Sequence, residues 1–258
     1  MKLIKNYLSL HLKVSLEYKS SFILTMISQS ITMFVELFTV IALFAKFKLL
    51  DTYNTYELLL GFSCLWLGYS LAETFGRGFD NFYKIIVNGD FDILLIRPRN
   101  LFVQIFGTEI CYEKIGRVIL SSIIYIYSAL KVIDSISLFK AILLILMIIG
   151  CFIVIISILI IGATFCFFTI QGLEAVNIFT NGTRQVAQYP MSIYKKPVLL
   201  FFSSIVPISL VNYYPLEYLS GRSSNFIYVI LPLFPIVLLF ISTKIFKLGA
   251  KKYCSTGS

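Results

Sequence analysis

The chain has 258 residues, of which 58% are hydrophobic, 16% aromatic and only 14% charged, with net charge +9. Its mean hydropathy is +0.88. Soluble domains carry nearly twice that share of charge and disordered chains are poor in aromatics, so both classes are excluded. What remains is an all-α polytopic membrane protein, and the length suits about six spans at roughly 20 residues each.

Met1–Lys19 places Lys2, Lys5, Lys13 and Lys19 among leucines and other apolar residues. This pattern fits an interfacial helix lying along a membrane surface, so residues 1–20 are expected to form that helix and 21–258 a single six-span domain. The segment has neither the long apolar core nor the small-residue site of a cleavable signal.

Ser21–Ala45 reads as the first span, interrupted by Glu36, and Leu58–Phe75 as the second. The Gly76–Asn100 loop contains Phe82–Ile96, apolar enough for a short helix but too charged to cross lipid. Leu101–Arg117 holds Glu109, Glu113, Lys114 and Arg117, and the third span lies near Val118–Leu130. Glu113 with Arg117, and Glu73 with Arg77, stand four apart, a spacing that permits pairing on one helix face. Ala141–Leu173 runs 33 residues without a charge and reads as one long, tilted or bent helix. The polar stretch Glu174–Pro197 follows as a loop. Val198–Val211, with Pro207, is the expected fifth span, and Phe226–Thr243 the sixth.

With the N-terminus inside, this layout puts 15 Lys and Arg in inner segments and 5 in outer loops. That is the asymmetry of a positive-inside protein, with both termini cytoplasmic.

Few residues offer chemistry. The single histidine, His11, makes a histidine-based metal site unexpected, so no metal site is assigned. The five cysteines, Cys64, Cys111, Cys151, Cys166 and Cys254, are scattered and read as small buried hydrophobes without a disulfide framework. No Gly-Lys pair occurs, so the GxxxxGK[ST] phosphate cradle is absent and no catalytic residue is assigned. Glu36 is the sharpest intramembrane charge. It is either a substrate-contacting or proton-carrying group, or a residue near the outer interface or hydrogen-bonded to a neighbouring helix. The prolines of the last two expected spans mark either broken helices lining a path or tolerated kinks.

Three segments resemble a known family. NGDFDILLIRP, Asn88–Pro98, is similar to a conserved-type segment of ABC-2 type permeases, in the group called the ABC-2 family transporter proteins. YPMSIYKKPVLLFFSSIVPISLVNYYPLEYLSGR, Tyr189–Arg222, and GAKKYCSTGS, Gly249–Ser258, resemble two further stretches of the same group. The resemblance implies a bacterial cell-membrane exporter permease without its own ATPase. It implies a homodimer or heterodimer with a second permease, surrounded by lipid and without nucleic acid. Separate ATPase subunits would bind ATP and magnesium, with no cofactor in this chain. It places Asn88, Gly89, Asp90, Asp92, Leu94, Leu95, Arg97 and Pro98 in or beside the coupling helix, with Gly89 and Asp90 as a turn and N-cap. It makes Tyr213–Arg222 an outer cap or re-entrant element. Glu36, Pro207, Asn212, Tyr213 and Tyr214 are the candidate substrate-path residues. A stand-alone secondary transporter or channel, and a membrane scaffold, are the competing readings.

Overall fold

A computed structural model describes residues 2–46, 53–133, 137–169 and 172–253, with side chains at all of these except 2 and 172–177. Helices account for nearly all of it, and no strand occurs among the described residues. The chain is threaded through a bundle with two ends, called here proximal (where α1 lies) and distal.

The amphipathic α1 (Lys2–Glu17) packs across the proximal end. Tyr7 covers Gly107, His11 Nε2 lies 2.9 Å from the Gly107 carbonyl, and the Leu8 carbonyl accepts from the Tyr112 hydroxyl at 2.9 Å. The expected interfacial helix is thus pinned to the body of the protein. From it α2 (Lys19–Lys46) runs to the distal end, and α3 (Thr55–Phe75) returns. Asn54 caps α3, with the Asn54 amide N–H donating to Glu57 at 2.8 Å. α3 is the central column, buried on nearly every face. Gly68 sits where a side chain would overlap Cys151, so α3 approaches the helix Leu138–Phe165 at backbone contact.

At the proximal end the chain makes four short helices: α4 (Arg77–Asp80), α5 (Phe82–Val87), α6 (Asp90–Ile96) and α7 (Leu101–Thr108). The expected single helix over Phe82–Ile96 is two, because Gly89 takes a left-handed backbone (φ +73°) and turns the chain. Gly89 itself occupies the N-cap position, and Asp90 is the first helical residue rather than the cap. A one-turn 3₁₀ segment at Tyr112–Lys114 leads into α8 (Ile115–Val132), and α9 (Leu138–Phe165) returns.

The long apolar run does not continue to Leu173, since α9 ends at Phe165. The polar stretch assigned to a loop contains α10 (Gly172–Ala187), which runs antiparallel to α3. Thr180 and Asn181 lie beside Tyr69 and Glu73, Arg184 beside Trp66, and Gln188–Met191 beside Glu57, Leu58 and Gly61. α10 therefore carries the chain back to the distal end.

The expected fifth span is a hairpin instead. α11 (Lys196–Ser204) is followed by α12 (Ile208–Val211) and α13 (Tyr213–Leu219), bent from it by 80°. Pro207 stands at the bend, where it cannot extend α11. Both ends of the hairpin are distal. Met191, which precedes it, lines a cavity together with Glu57, and Glu217 accepts from the Tyr53 hydroxyl at 2.9 Å. Its tip dips far enough for Val211 to fill the space beside Gly150 of α9. α14 (Ile227–Ile230) and α15 (Pro235–Lys251) then return to the proximal end.

Among the described residues, five helices are long and apolar enough to cross a membrane: Lys19–Lys46, Thr55–Phe75, Tyr112–Val132, Leu138–Phe165 and Ile227–Lys251. With α10 as the shorter sixth traverse, the six-span parity expected from charge survives, although its fifth member is a different segment. The cost of the exchange is that Arg184 leaves the charged surface for the interior.

Candidate functional site

Three polar or exposed regions depart from the lipid-compatible remainder. The first is the proximal plate built from α5, α6 and α7. Phe79, Phe82, Phe91 and Phe246 are wholly buried there and pack with Phe102, Phe106, Phe167 and Tyr253. Ring centroids lie 4.9–5.4 Å apart in these pairs, mostly edge to face. Each such contact adds about 0.5–1.5 kcal/mol beyond area burial, so the plate and α15 behave as one body.

Polar contacts lock the same plate. Gln104, buried, donates to the Leu94 carbonyl at 3.1 Å and the Arg99 carbonyl at 3.2 Å, closing the C-terminal end of α6. Asn100 caps α7, accepting from Phe102 N–H at 3.0 Å. Asn81 donates to Glu109 at 2.6 Å. Arg77 pairs with Asp80 and, at 3.6 Å, with Glu109. Burial holds the Asp80 carboxyl above its usual range even though Arg77 opposes it. Asp80, Glu109 and Glu73 keep the Arg77 guanidinium above its ordinary pKa, against the effect of burial.

The eight residues expected to couple all lie on this plate, in two roles. Leu94 is buried and Asp92 half-buried, so both anchor α6. Asn88, Asp90, Leu95, Arg97 and Pro98 are exposed around the Gly89 elbow. Ile93, Leu95 and Ile96 are the exposed apolar members, Ile96 at 80%, and Arg97 and Arg99 stand exposed beside them.

The second region is a ladder of charge inside the bundle. Arg184 of α10 donates both ways to Glu36 of α2, at 2.7 and 2.9 Å. Its guanidinium lies 4.7 Å from the Trp66 ring centre and 5.4 Å from that of Tyr69. Arg117 lies 5.5 Å from the same ring centre and pairs with Glu73. Tyr69 donates to Asn181 at 3.0 Å. Two guanidiniums thus lie close to one indole, each neutralised by a carboxylate from a neighbouring helix. Cations over aromatic faces gain up to about 2 kcal/mol when desolvated, and a buried charge is tolerable only with such partners.

This ladder replaces both pairs suggested by spacing. Glu73 pairs with Arg117 rather than Arg77, and Arg117 with Glu73 rather than Glu113. Helix packing brings α3 and α8 close at that level and overrides the local spacing. Of the alternatives for Glu36, the structure places it in an ion pair with a neighbouring helix. Sequence reasoning missed Arg184, Trp66, Tyr69 and Asn181. The available signal was α10 itself, sixteen residues with only Glu174 and Arg184 charged.

The third region is the distal hairpin. Pro207 and Asn212 are buried, and Tyr213 and Tyr214 are half-buried with rings 5.2 Å apart. Asn212 donates to the Gly61 carbonyl at 3.1 Å. Arg222 pairs with Glu57 and, at 3.1 Å, with Glu217, and lies 3.9 Å from the Tyr53 ring centre. Burial acts against the Arg222 charge, but the two carboxylates keep its pKa above the ordinary value. Burial and Glu217 push the Tyr53 phenol up. The structure brings Pro207, Asn212, Tyr213 and Tyr214 together. Glu36 stands apart from them, paired with Arg184 of α10.

Among the cysteines, Cys64, Cys151 and Cys166 are buried and Cys111 half-buried, all as free thiols. Cys254 lies outside the described residues, as does the end of the Gly249–Ser258 motif.

A bundle of traversing helices with a rigid plate at one end and a folded-back hairpin at the other is a polytopic membrane transport subunit. Residues 30–257 match the family described as ABC-2 family transporter protein. The chain belongs to that family: it is a multi-pass membrane protein and a permease component of an ATP-binding cassette transporter, a kind that associates with ATPase subunits. Comparison with curated proteins gave no match, and comparison with solved structures gave none.

Proposed function

We propose that the chain forms the substrate path of an exporter in a dimer with a second permease, and is driven by separate ATPase subunits seated on the proximal plate. In this reading the plate and both termini are cytoplasmic, and the hairpin faces outward. The observation that carries the proposal is the elbow at 88–98. Its exposed apolar residues, Ile93, Leu95 and Ile96, are mounted on a plate stitched to α15 by buried rings.

A soluble motor can drive a membrane gate only if the gate's two states differ in their contacts with the motor. A plate that moves as a unit with α15 meets this need, whereas a floppy loop would absorb the displacement. Residues Asn88, Gly89, Asp90, Asp92, Leu94, Leu95, Arg97 and Pro98 are assigned to coupling. Pro207, Asn212, Tyr213 and Tyr214 are assigned to the outer path, and Glu36 to the ladder that holds α2 to α10.

The test is co-purification with the ATPase, combined with nucleotide-dependent movement of a labelled cargo in proteoliposomes. Wild type retains a stoichiometric ATPase. Ile96→Asp loses it, while Arg97→Glu or Asp92→Asn keeps membrane insertion and loses transport per ATP hydrolysed. Transport without any ATPase, or normal coupling in all three variants, overturns the assignment.

A further inference from the structure

Beneath the hairpin, between α3, the end of α10 and α12, lies a cavity of about 20 Å³. That is room for one group the size of a water molecule. Three residues that line it carry a buried oxygen with no hydrogen-bond partner: Gln188 Oε1, Ser209 Oγ and Asn212 Oδ1. Ser209 is wholly buried and Asn212 is 7% exposed. The Asn212 amide is oriented by its other end, since Nδ2 is committed to the Gly61 carbonyl. Its oxygen is the end left without a partner.

The set leans toward acceptors: the Gln188 and Asn212 amide oxygens only accept, and the Ser209 hydroxyl can accept as well as donate. The Glu57 carboxylate lines the same space, and Phe62, Tyr189 and Tyr213 supply ring walls. Glu57 and Glu217 share the single guanidinium of Arg222 at this end of α3. Buried acceptors in such number require a donor. A primary ammonium supplies three N–H groups and a positive charge, and ring faces favour it.

We propose that this cavity seats the ammonium group of a cationic amphiphile on the distal side, with Ser209, Asn212 and Gln188 as its acceptors. The inference rests on the exporter reading for its biological meaning, but the site can be tested without the ATPase.

The chain has one tryptophan, Trp66. Its ring lies 5.9 Å from that of Phe62, a wall of the cavity, so its emission reports on occupancy. The full chain alone, in lipid nanodiscs, is titrated with hexylammonium chloride and, separately, with hexanol. A saturable change in Trp66 emission is expected with hexylammonium only. Ser209→Ala and Gln188→Leu each weaken it about tenfold, the lower end for one hydrogen bond to a charged group. Unchanged emission of the unliganded variants confirms that they fold as wild type. If one variant misfolds, the other carries the comparison, and competition by hexanol against the wild type decides if both do.

An equal response to hexanol, a response unaltered in both variants, or no saturable response (an ordered water only) overturns the proposal. Saturable binding combined with absent nucleotide-driven transport would sink the exporter reading and leave the ammonium site standing.

Discussion

Replacing Glu36 with Gln removes the partner of a guanidinium that is only 14% exposed. The carboxylate is 24% exposed, so both groups are mostly withdrawn from solvent. With charge centres about 4 Å apart and an effective dielectric near 20, their attraction is about 4 kcal/mol. Truncating one partner of a buried pair costs about 3–5 kcal/mol, because the remaining charge stays desolvated. The Trp66 face still cushions Arg184, which places Glu36→Gln toward the lower end, about 3 kcal/mol or two decades in the unfolding equilibrium. Glu36→Gln combined with Arg184→Met leaves no orphaned charge, so its cost should fall well short of the sum of the single changes. The assay is a double-mutant cycle by unfolding in mixed micelles, read by Trp66 emission. A coupling energy under about 0.5 kcal/mol would show that the two side chains do not meet, and the traverse of α10 past α2 would fall with it.

Three further outcomes are expected. Gly89→Ala places a side chain in open space but on a left-handed backbone, a strain of about 1–2 kcal/mol; transport should fall while insertion is retained, with partial recovery in Gly89→Asn, and equal transport in Ala and Gly would refute the elbow's role. In a cysteine-free background, Ile96→Cys and Ser192→Cys should react with an impermeant maleimide from opposite sides of the membrane; labelling from the same side would return residues 174–197 to a loop. Burial and Glu109 push the Cys111 thiol up to about 11. Its thiolate near pH 8 is thus on the order of 100-fold rarer than that of an ordinary thiol, and its alkylation rate should climb past pH 9. A rate that levels near pH 9 contradicts that burial. The same shift makes the folded chain hold this proton more tightly than the unfolded chain, so its contribution to stability declines as pH rises from 9 to 11.

How far the sequence reaches is clearest at the two ends of the bundle. Asn88–Pro98 was legible as a proximal element because its motif is local and its elbow depends on one glycine. The amphipathic N-terminal helix and the long apolar helices α2, α3 and α9 were legible for the same reason: composition over roughly 20 residues decides whether a segment tolerates lipid. What composition cannot express is compensation between distant residues. Arg184 and Asn181 mark α10 as polar in isolation, and they enter the interior because Glu36, Trp66 and Tyr69 meet them there. Val198–Val211 reads as apolar enough to cross, yet Pro207 turns it back and Asn212 ties it to Gly61.

Residue by residue, the chain determined that it is helical, embedded in a membrane and built around an elbow at Gly89. Which polar segment goes inside, which apolar segment folds back, and which carboxylate each arginine finds were decided only by tertiary packing. The free energy of a buried charge belongs to its partners, and Arg184 finds its own in Glu36, 148 positions away in the sequence.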